Sequence, residues 1–147
     1  ATILSYPLEL VDYYLVNETE GRTLSGCDAT DYETILAALH EQFPNAAIVL
    51  TVGSDGVLYQ CGDERYSHGI YRVQAVDTTG AGDTFAGGLL FRLSSADGDA
   101  RYTRGTLEKA LRFAVFASAI SVQKKGTIAS MPSLQQVNAF LRARGEI

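Results

Sequence analysis

The chain has 147 residues, 46% of them hydrophobic and 20% charged, enough for a folded domain with a real core. A net charge of −5, with no basic cluster beyond Lys124-Lys125, argues against nucleic acid as a partner. No apolar run approaches membrane-spanning length and no signal-like segment opens the chain, so no membrane partner is expected.

Asp12-Tyr13-Tyr14-Leu15-Val16 reads as a short buried strand ending at Asn17. Asn17 and Glu20 have the three-residue spacing that puts both on one face of a helix start, where they also fit an ordinary asparagine cap. Thr30 with Glu33 predicts a capping box, followed by a helix that places Tyr32, Ile35, Leu36, Leu39 and Phe43 on one face. Pro44-Asn45 ends it. The continuous apolar run from Ala46 to Val52 predicts a strand buried on both faces. Gly53 to Gly56 predicts a turn, Val57 to Cys61 a returning strand, and the surroundings of Gly62-Asp63 a shorter strand pair continuing to Val76. Cys27 and Cys61 lie far apart with no metal-type spacing and read as reduced thiols of a cytoplasmic protein.

The next nine residues, Asp77-Thr78-Thr79-Gly80-Ala81-Gly82-Asp83-Thr84-Phe85, carry most of the chemistry. Glycines let backbone N–H groups converge, and a helix that starts there adds unpaired donors and the positive end of its dipole. Such a loop holds phosphate. A carboxylate beside it would repel the ligand, unless it takes the proton of a hydroxyl that attacks the phosphate. The loop therefore points to phosphoryl transfer to an alcohol. Gly80 and Gly82 alone also fit a tight strand-to-helix connection, and Asp83 a capping aspartate. Phe85 stands where a dinucleotide fingerprint requires a small residue, which disfavours a Rossmann-type oxidoreductase, and no Walker-type Gly-Lys-Ser/Thr follows.

The helix after the loop is predicted to about Leu93, a polar surface loop from Ser94 to Arg104, and an alanine-rich helix from Leu107 to Val122 that Lys124, Lys125 and Gly126 stop. Pro132 and the box Ser133/Gln136 open a last helix with Val137, Phe140 and Leu141 inward. Alternating strands and helices predict an α/β sheet with covered faces, whose ligands sit at strand ends, and Asn17, Gly53 and Asp83 all fall there.

The nine-residue stretch, with Asn17-Glu18-Thr19-Glu20 and Thr51-Val52-Gly53-Ser54-Asp55-Gly56 in the same order, resembles the ribokinase-like (PfkB-type) carbohydrate kinases. The resemblance runs from about residue 13 to 143 and matches only the C-terminal half of such a kinase. It implies a Rossmann-like layered α/β sheet with helices on both faces, and ATP-dependent phosphorylation of a sugar hydroxyl. It implies that residues 1–147 form a single ATP-binding and catalytic portion, inactive alone, whose partner is the missing N-terminal half with its lid, the intact enzyme being a homodimer. The opening Ala1, rather than Met, fits a fragment or a trimmed product.

By the same resemblance, Asp83 is the general base, and Gly80, Ala81 and Gly82 offer N–H groups to the transferring phosphoryl. Asn17 and Glu20 organise Mg²⁺ through water. Thr51, Val52, Gly53, Ser54, Asp55 and Gly56 form the nucleotide loop, and Val115 lines the adenine pocket or simply packs in the core. Asp77, Thr79, Ser121, Lys124, Gly126 and Ser130 match a site for K⁺, partly through main-chain carbonyls. A nucleoside or vitamin kinase of the same superfamily, or a non-catalytic nucleotide-binding regulatory protein, remains the alternative.

Overall fold

The computed structural model describes residues 5–96 and 103–146. They form two compact units, Ala1–Gly69 and Ile70–Ile147.

The first unit is a mixed four-stranded sheet with two helices. Its elements run β1 (Tyr13–Asn17), α1 (Glu18–Ser25), α2 (Tyr32–Gln42), β2 (Ala47–Thr51), β3 (Val57–Cys61) and β4 (Glu64–His68), and the strand order is β1-β2-β3-β4. β1 and β2 are parallel, with Tyr13 opposite Ala47 and Asn17 opposite Thr51, so the two strands end level. β2–β3 and β3–β4 are antiparallel. Ala47, Ile48, Val49 and Leu50 are all buried although successive side chains point to opposite faces, as the unbroken apolar run predicts. Tyr14, Ile48, Leu50 and Leu58 pack with Ile35, Leu36, Leu39 and Phe43 of α2, and the Tyr14 and Phe43 rings stack at 4.3 Å. Gly21 lets α1 join this core, since a Cβ there would meet Leu50 Cδ1 at 3.0 Å and Ile35 Cγ2 at 3.2 Å.

The second unit carries α3 (Ala81–Ser94), α4 (Arg104–Ser121) and α5 (Leu134–Ala143). α3 lies close on α4: a Cβ on Gly88 would fall 3.2 Å from the Ala114 Cα. Val137 and Leu141 of α5 pack on Phe113, Phe116, Ala117 and Ile120 of α4, and Tyr71 stacks on Phe116 at 3.6 Å between centroids.

Two expectations need correction, and a third falls largely outside the described residues. The cap of α2 is Asp31 rather than Thr30: its carboxylate accepts from Thr34 N–H at 2.8 Å, and no Thr30/Glu33 box forms. A carboxylate is the stronger acceptor for an unpaired helical donor, and the bond lowers the Asp31 pKa. The strand after Gly62-Asp63 stops at His68, and residues 69–76 pair with no strand. The expected polar loop from Ser94 to Arg104 is bounded by the ends of α3 and α4, and its residues 97–102 lie outside the described residues. The Ser133/Gln136 box is present, with both of its reciprocal hydrogen bonds.

Candidate active site

The loop from Asp77 to Asp83 is fixed from several directions within the second unit. The Val122 carbonyl at the end of α4 accepts from the N–H groups of both Val76 and Asp77, at 2.7 and 3.1 Å. The two Asp77 oxygens accept from Thr79 N–H at 2.9 Å and from Gly126 N–H at 3.0 Å. Hydrogen bonds from Thr79, then the Gly126 N–H, hold the Asp77 carboxyl down at about 2. Gly80 has φ 78°, a left-handed conformation costly for any residue with a Cβ, and a Cβ there would also crowd Thr127 at 3.3 Å. Gly80 caps α3 without a side chain, which leaves the approach to the first turn open.

The donors exposed by this turn differ in part from those expected. Ala81 N–H is taken by the Thr78 carbonyl at 3.1 Å, and Thr84 N–H by the Gly80 carbonyl at 2.9 Å. Among the described residues, the N–H groups of Gly80, Gly82 and Asp83 have no acceptor. Asp83 thus supplies a donor where Ala81 does not. Its own side chain stands at the third helical position, exposed and with no partner among the described residues. An acceptor carboxylate therefore stands beside three unpaired donors at the positive end of a helix dipole. That arrangement fits an anion together with a proton to be removed.

A cleft of about 260 Å³ opens beside Asp83, lined by Thr84, Gly87, Phe91, Phe113 and Met131 among others. Val115 is not on its wall but buried in α4.

The remaining cation-site candidates gather around the end of α4. Ser121 and Ser130 are buried, and their hydroxyls donate to the Ser118 and Thr127 carbonyls. Lys124 N–H donates to the Ser121 carbonyl at 3.2 Å. Gly126, at φ 100°, turns its N–H to Asp77. Among the described residues no group of three His, Cys, Asp or Glu side chains could hold a metal ion.

In the first unit, Asn17 caps α1 and forms a complete capping box. Its side chain accepts from Glu20 N–H and its own N–H donates to Glu20 Oε2, both at 2.9 Å. One oxygen of Glu20 is thereby used and the other has no partner among the described residues. At the level end of β2, Thr51 Oγ1 donates to the Val16 carbonyl at 3.4 Å and Val52 is buried. Gly53, Ser54 and Asp55 make a 3-10 turn, with Gly53 at φ 53° and open space where a Cβ would point. Gly56, at φ 112°, is forced by its neighbour: a Cβ would lie 2.1 Å from the His68 carbonyl oxygen. Asp55 Oδ2 accepts from the Tyr32 hydroxyl at 3.2 Å, which raises the Tyr32 pKa. Cys27 and Cys61 are free thiols. Among the described residues no helix is long and apolar enough to cross a membrane.

A family model described as pfkB family carbohydrate kinase matches residues 2–134. The chain is 35% identical over 132 residues to a deoxyribokinase of Salmonella typhi, covering 88% of this chain and 40% of that protein. Its structure is similar to that of an Arabidopsis thaliana ribokinase complexed with ribose and ATP, at a TM-score of 0.80 and 31% identity over 92% of this chain and 42% of the other. It is also similar to a Vibrio cholerae fructokinase double mutant in its fructose-, ADP- and potassium-bound form, at a TM-score of 0.78 and 31% identity over 88% and 40%. The fold is therefore ribokinase-like. The chain spans about two fifths of the length of the curated relatives it matches.

Proposed function

We propose that this chain, which belongs to the pfkB family of carbohydrate kinases, supplies the catalytic machinery for ATP-dependent phosphorylation of a sugar hydroxyl. The observation that carries the reading is the Asp83 carboxylate beside the N–H groups of Gly80, Gly82 and Asp83, all without a partner among the described residues. Asp83 accepts the proton of the acceptor hydroxyl as its oxygen bonds to the γ-phosphorus and the bond from that phosphorus to the ADP oxygen breaks. The three N–H groups donate to the phosphoryl oxygens, where charge is spread in the transition state and fixed donors gain most.

Asn17 and Glu20 belong to the same chemistry on the nucleotide side. The free oxygen of Glu20 suits a water of a bound Mg²⁺, which keeps most of its own waters and supplies charge neutralisation between the phosphates. The open backbone of the Gly53 turn suits nucleotide phosphate or ribose, and the polar loop around Asp77, Thr79, Ser121, Gly126 and Ser130 suits K⁺. The ribokinase structure with ribose and ATP and the fructokinase structure with fructose, ADP and potassium hold ligands of this kind. The chain spans about two fifths of the length of its relatives; the proposal takes activity on a sugar to need the rest of a whole kinase, and that kinase to be a cytoplasmic homodimer.

The test is transfer of the γ-phosphate of labelled ATP to ribose, deoxyribose and fructose by the complete kinase that contains these residues, titrated with Mg²⁺. Phosphorylation of one of these sugars, and a Glu20→Gln variant that needs more Mg²⁺ for half-maximal rate, are the expected results. ATP hydrolysis with no sugar product would overturn the assignment of substrate class. An unmoved magnesium titration would reduce Glu20 to the helix cap it already forms.

A further inference from the structure

We infer that Ser118 is a positioning residue for Asp83 and its neighbouring donors, an inference that rests on the catalytic reading of that turn. The Ser118 hydroxyl on α4 donates to the Ala81 carbonyl, in the first turn of α3, at 3.1 Å. Thr23, Ser25, Ser94 and Ser121 spend their hydroxyls locally, on carbonyls no more than four residues away, the usual habit of these side chains in helices. Ser118 instead reaches across 37 residues of sequence. The Ala81 carbonyl does not need the bond, because as the first residue of α3 it already has the helical Phe85 N–H for a donor. The hydroxyl therefore acts as a tether between two helices rather than as relief for an orphaned acceptor.

The tether sits at a decisive place. Its other neighbours on α4 hold the opposite end of the same loop. The Ser118 carbonyl accepts from Ser121 Oγ at 2.9 Å and Val122 N–H at 3.2 Å, and the Val122 carbonyl in turn holds Val76 and Asp77. The last turn of α4 thus grips the loop before Asp77 and after Gly80, and Ser118 brings a side chain of that grip onto the catalytic turn itself. Close approach of Gly88 to Ala114 brings α3 to α4, but it lies farther along α3 and does not by itself set the tilt of the first turn. The bond from Ser118 fixes that tilt, and with it the direction of the Gly82 and Asp83 N–H groups and of the Asp83 carboxylate. Preorganised donors of this kind lose their value when displaced by a fraction of an ångström.

The experiment compares Ser118→Ala with Ser118→Thr, which keeps the hydroxyl. In the 147-residue chain, hydrogen exchange at the Thr84 and Phe85 amides is expected to quicken by about tenfold in Ser118→Ala, the scale of one lost net hydrogen bond, with α5 and β2 unchanged. Ser118→Thr should restore the slow exchange. In the complete kinase, Ser118→Ala should lower kcat by about tenfold with KM for ATP unmoved, and Ser118→Thr should recover it. Unchanged exchange at Thr84 and Phe85 would overturn the tether. Quickened exchange with an unchanged kcat, or exchange quickened throughout the protein, would make Ser118 a structural residue only and overturn its positioning role. If Asp83→Asn in the same enzyme leaves kcat intact while the exchange result holds, it is the catalytic reading that fails and not the tether.

Discussion

Asp77 shows how one carboxylate organises a loop that has no regular structure of its own. Both of its oxygens accept backbone N–H bonds, one within the loop and one from Gly126, 49 residues away in sequence. Its folded pKa of about 2 lies below the ordinary 3.8, so the unfolded chain binds the proton more readily. The stabilisation is therefore complete above about pH 4 and is lost as pH falls from there toward 2. Asp77→Asn places an amide group where two donors converge and satisfies at most one of them. Amide exchange at Thr79 and Gly126 should quicken in the variant at pH 7, and in the wild type only as the pH is taken below 4. Exchange indifferent to both changes would mean that the loop is held by Val122 alone. At the same scale, Asp83 stood out in the sequence as a carboxylate after Gly-x-Gly, a place that also suits a helix-capping aspartate. That Asp83 rather than Ala81 contributes a donor was not legible there, because it depends on the Thr78 carbonyl folding back onto Ala81.

Among the elements, α3 and α4 illustrate what neighbouring glycines do. Gly87 and Gly88 look alike in sequence, and both weaken a helix by about 1 kcal/mol relative to alanine. Only Gly88 faces the backbone of α4, where a Cβ would lie 3.2 Å from Ala114 Cα, whereas a Cβ on Gly87 meets nothing within 4 Å. Gly88→Val should therefore destabilise the second unit by about 1–3 kcal/mol through overpacking, and Gly87→Ala should raise its stability by up to about 1 kcal/mol. Urea midpoints for the two variants check this, and equal shifts of the same sign would contradict the packing described. Element identity was legible wherever apolar period and a cap agreed, as in α5 with its Ser133/Gln136 box. It failed over residues 69–76, which have strand-like composition but no strand to pair with, since strand formation is decided by a partner rather than by propensity. The Asp31 cap was missed because Thr30 and Asp31 are both good caps, and only the placed Thr34 N–H chooses between them.

At the level of the whole molecule, each unit leaves surface open to association among the described residues. β1 is the outermost strand and pairs on one side only, with β2, so its other edge presents unpaired backbone groups. In the second unit, Leu90, Phe91, Met131 and Leu134 are exposed, the last three of them on the cleft beside Asp83. The 147-residue chain purified alone should therefore self-associate in a concentration-dependent way and phosphorylate no sugar; sedimentation and a kinase assay on the same sample test both. A monomer that turns over sugar at an ordinary rate would place the whole substrate site within these residues. Family and fold were legible because three short motifs recur in order. The acceptor sugar was not, because nothing in these residues presents a set of side chains matched to one pattern of hydroxyls.

The central claim is that Asp83 removes the proton from the acceptor hydroxyl, and a single substitution tests it most directly. Asp83→Asn keeps the size of the side chain and the N–H donors of the first turn of α3 while removing the base. In the complete kinase it should leave ATP affinity nearly unchanged and lower kcat by about 10²–10⁴-fold, the range expected for loss of a general base. A kcat within a few-fold of the wild-type value would contradict the account, and would leave the Gly80–Asp83 turn as an anion-binding helix start with no part in the chemistry.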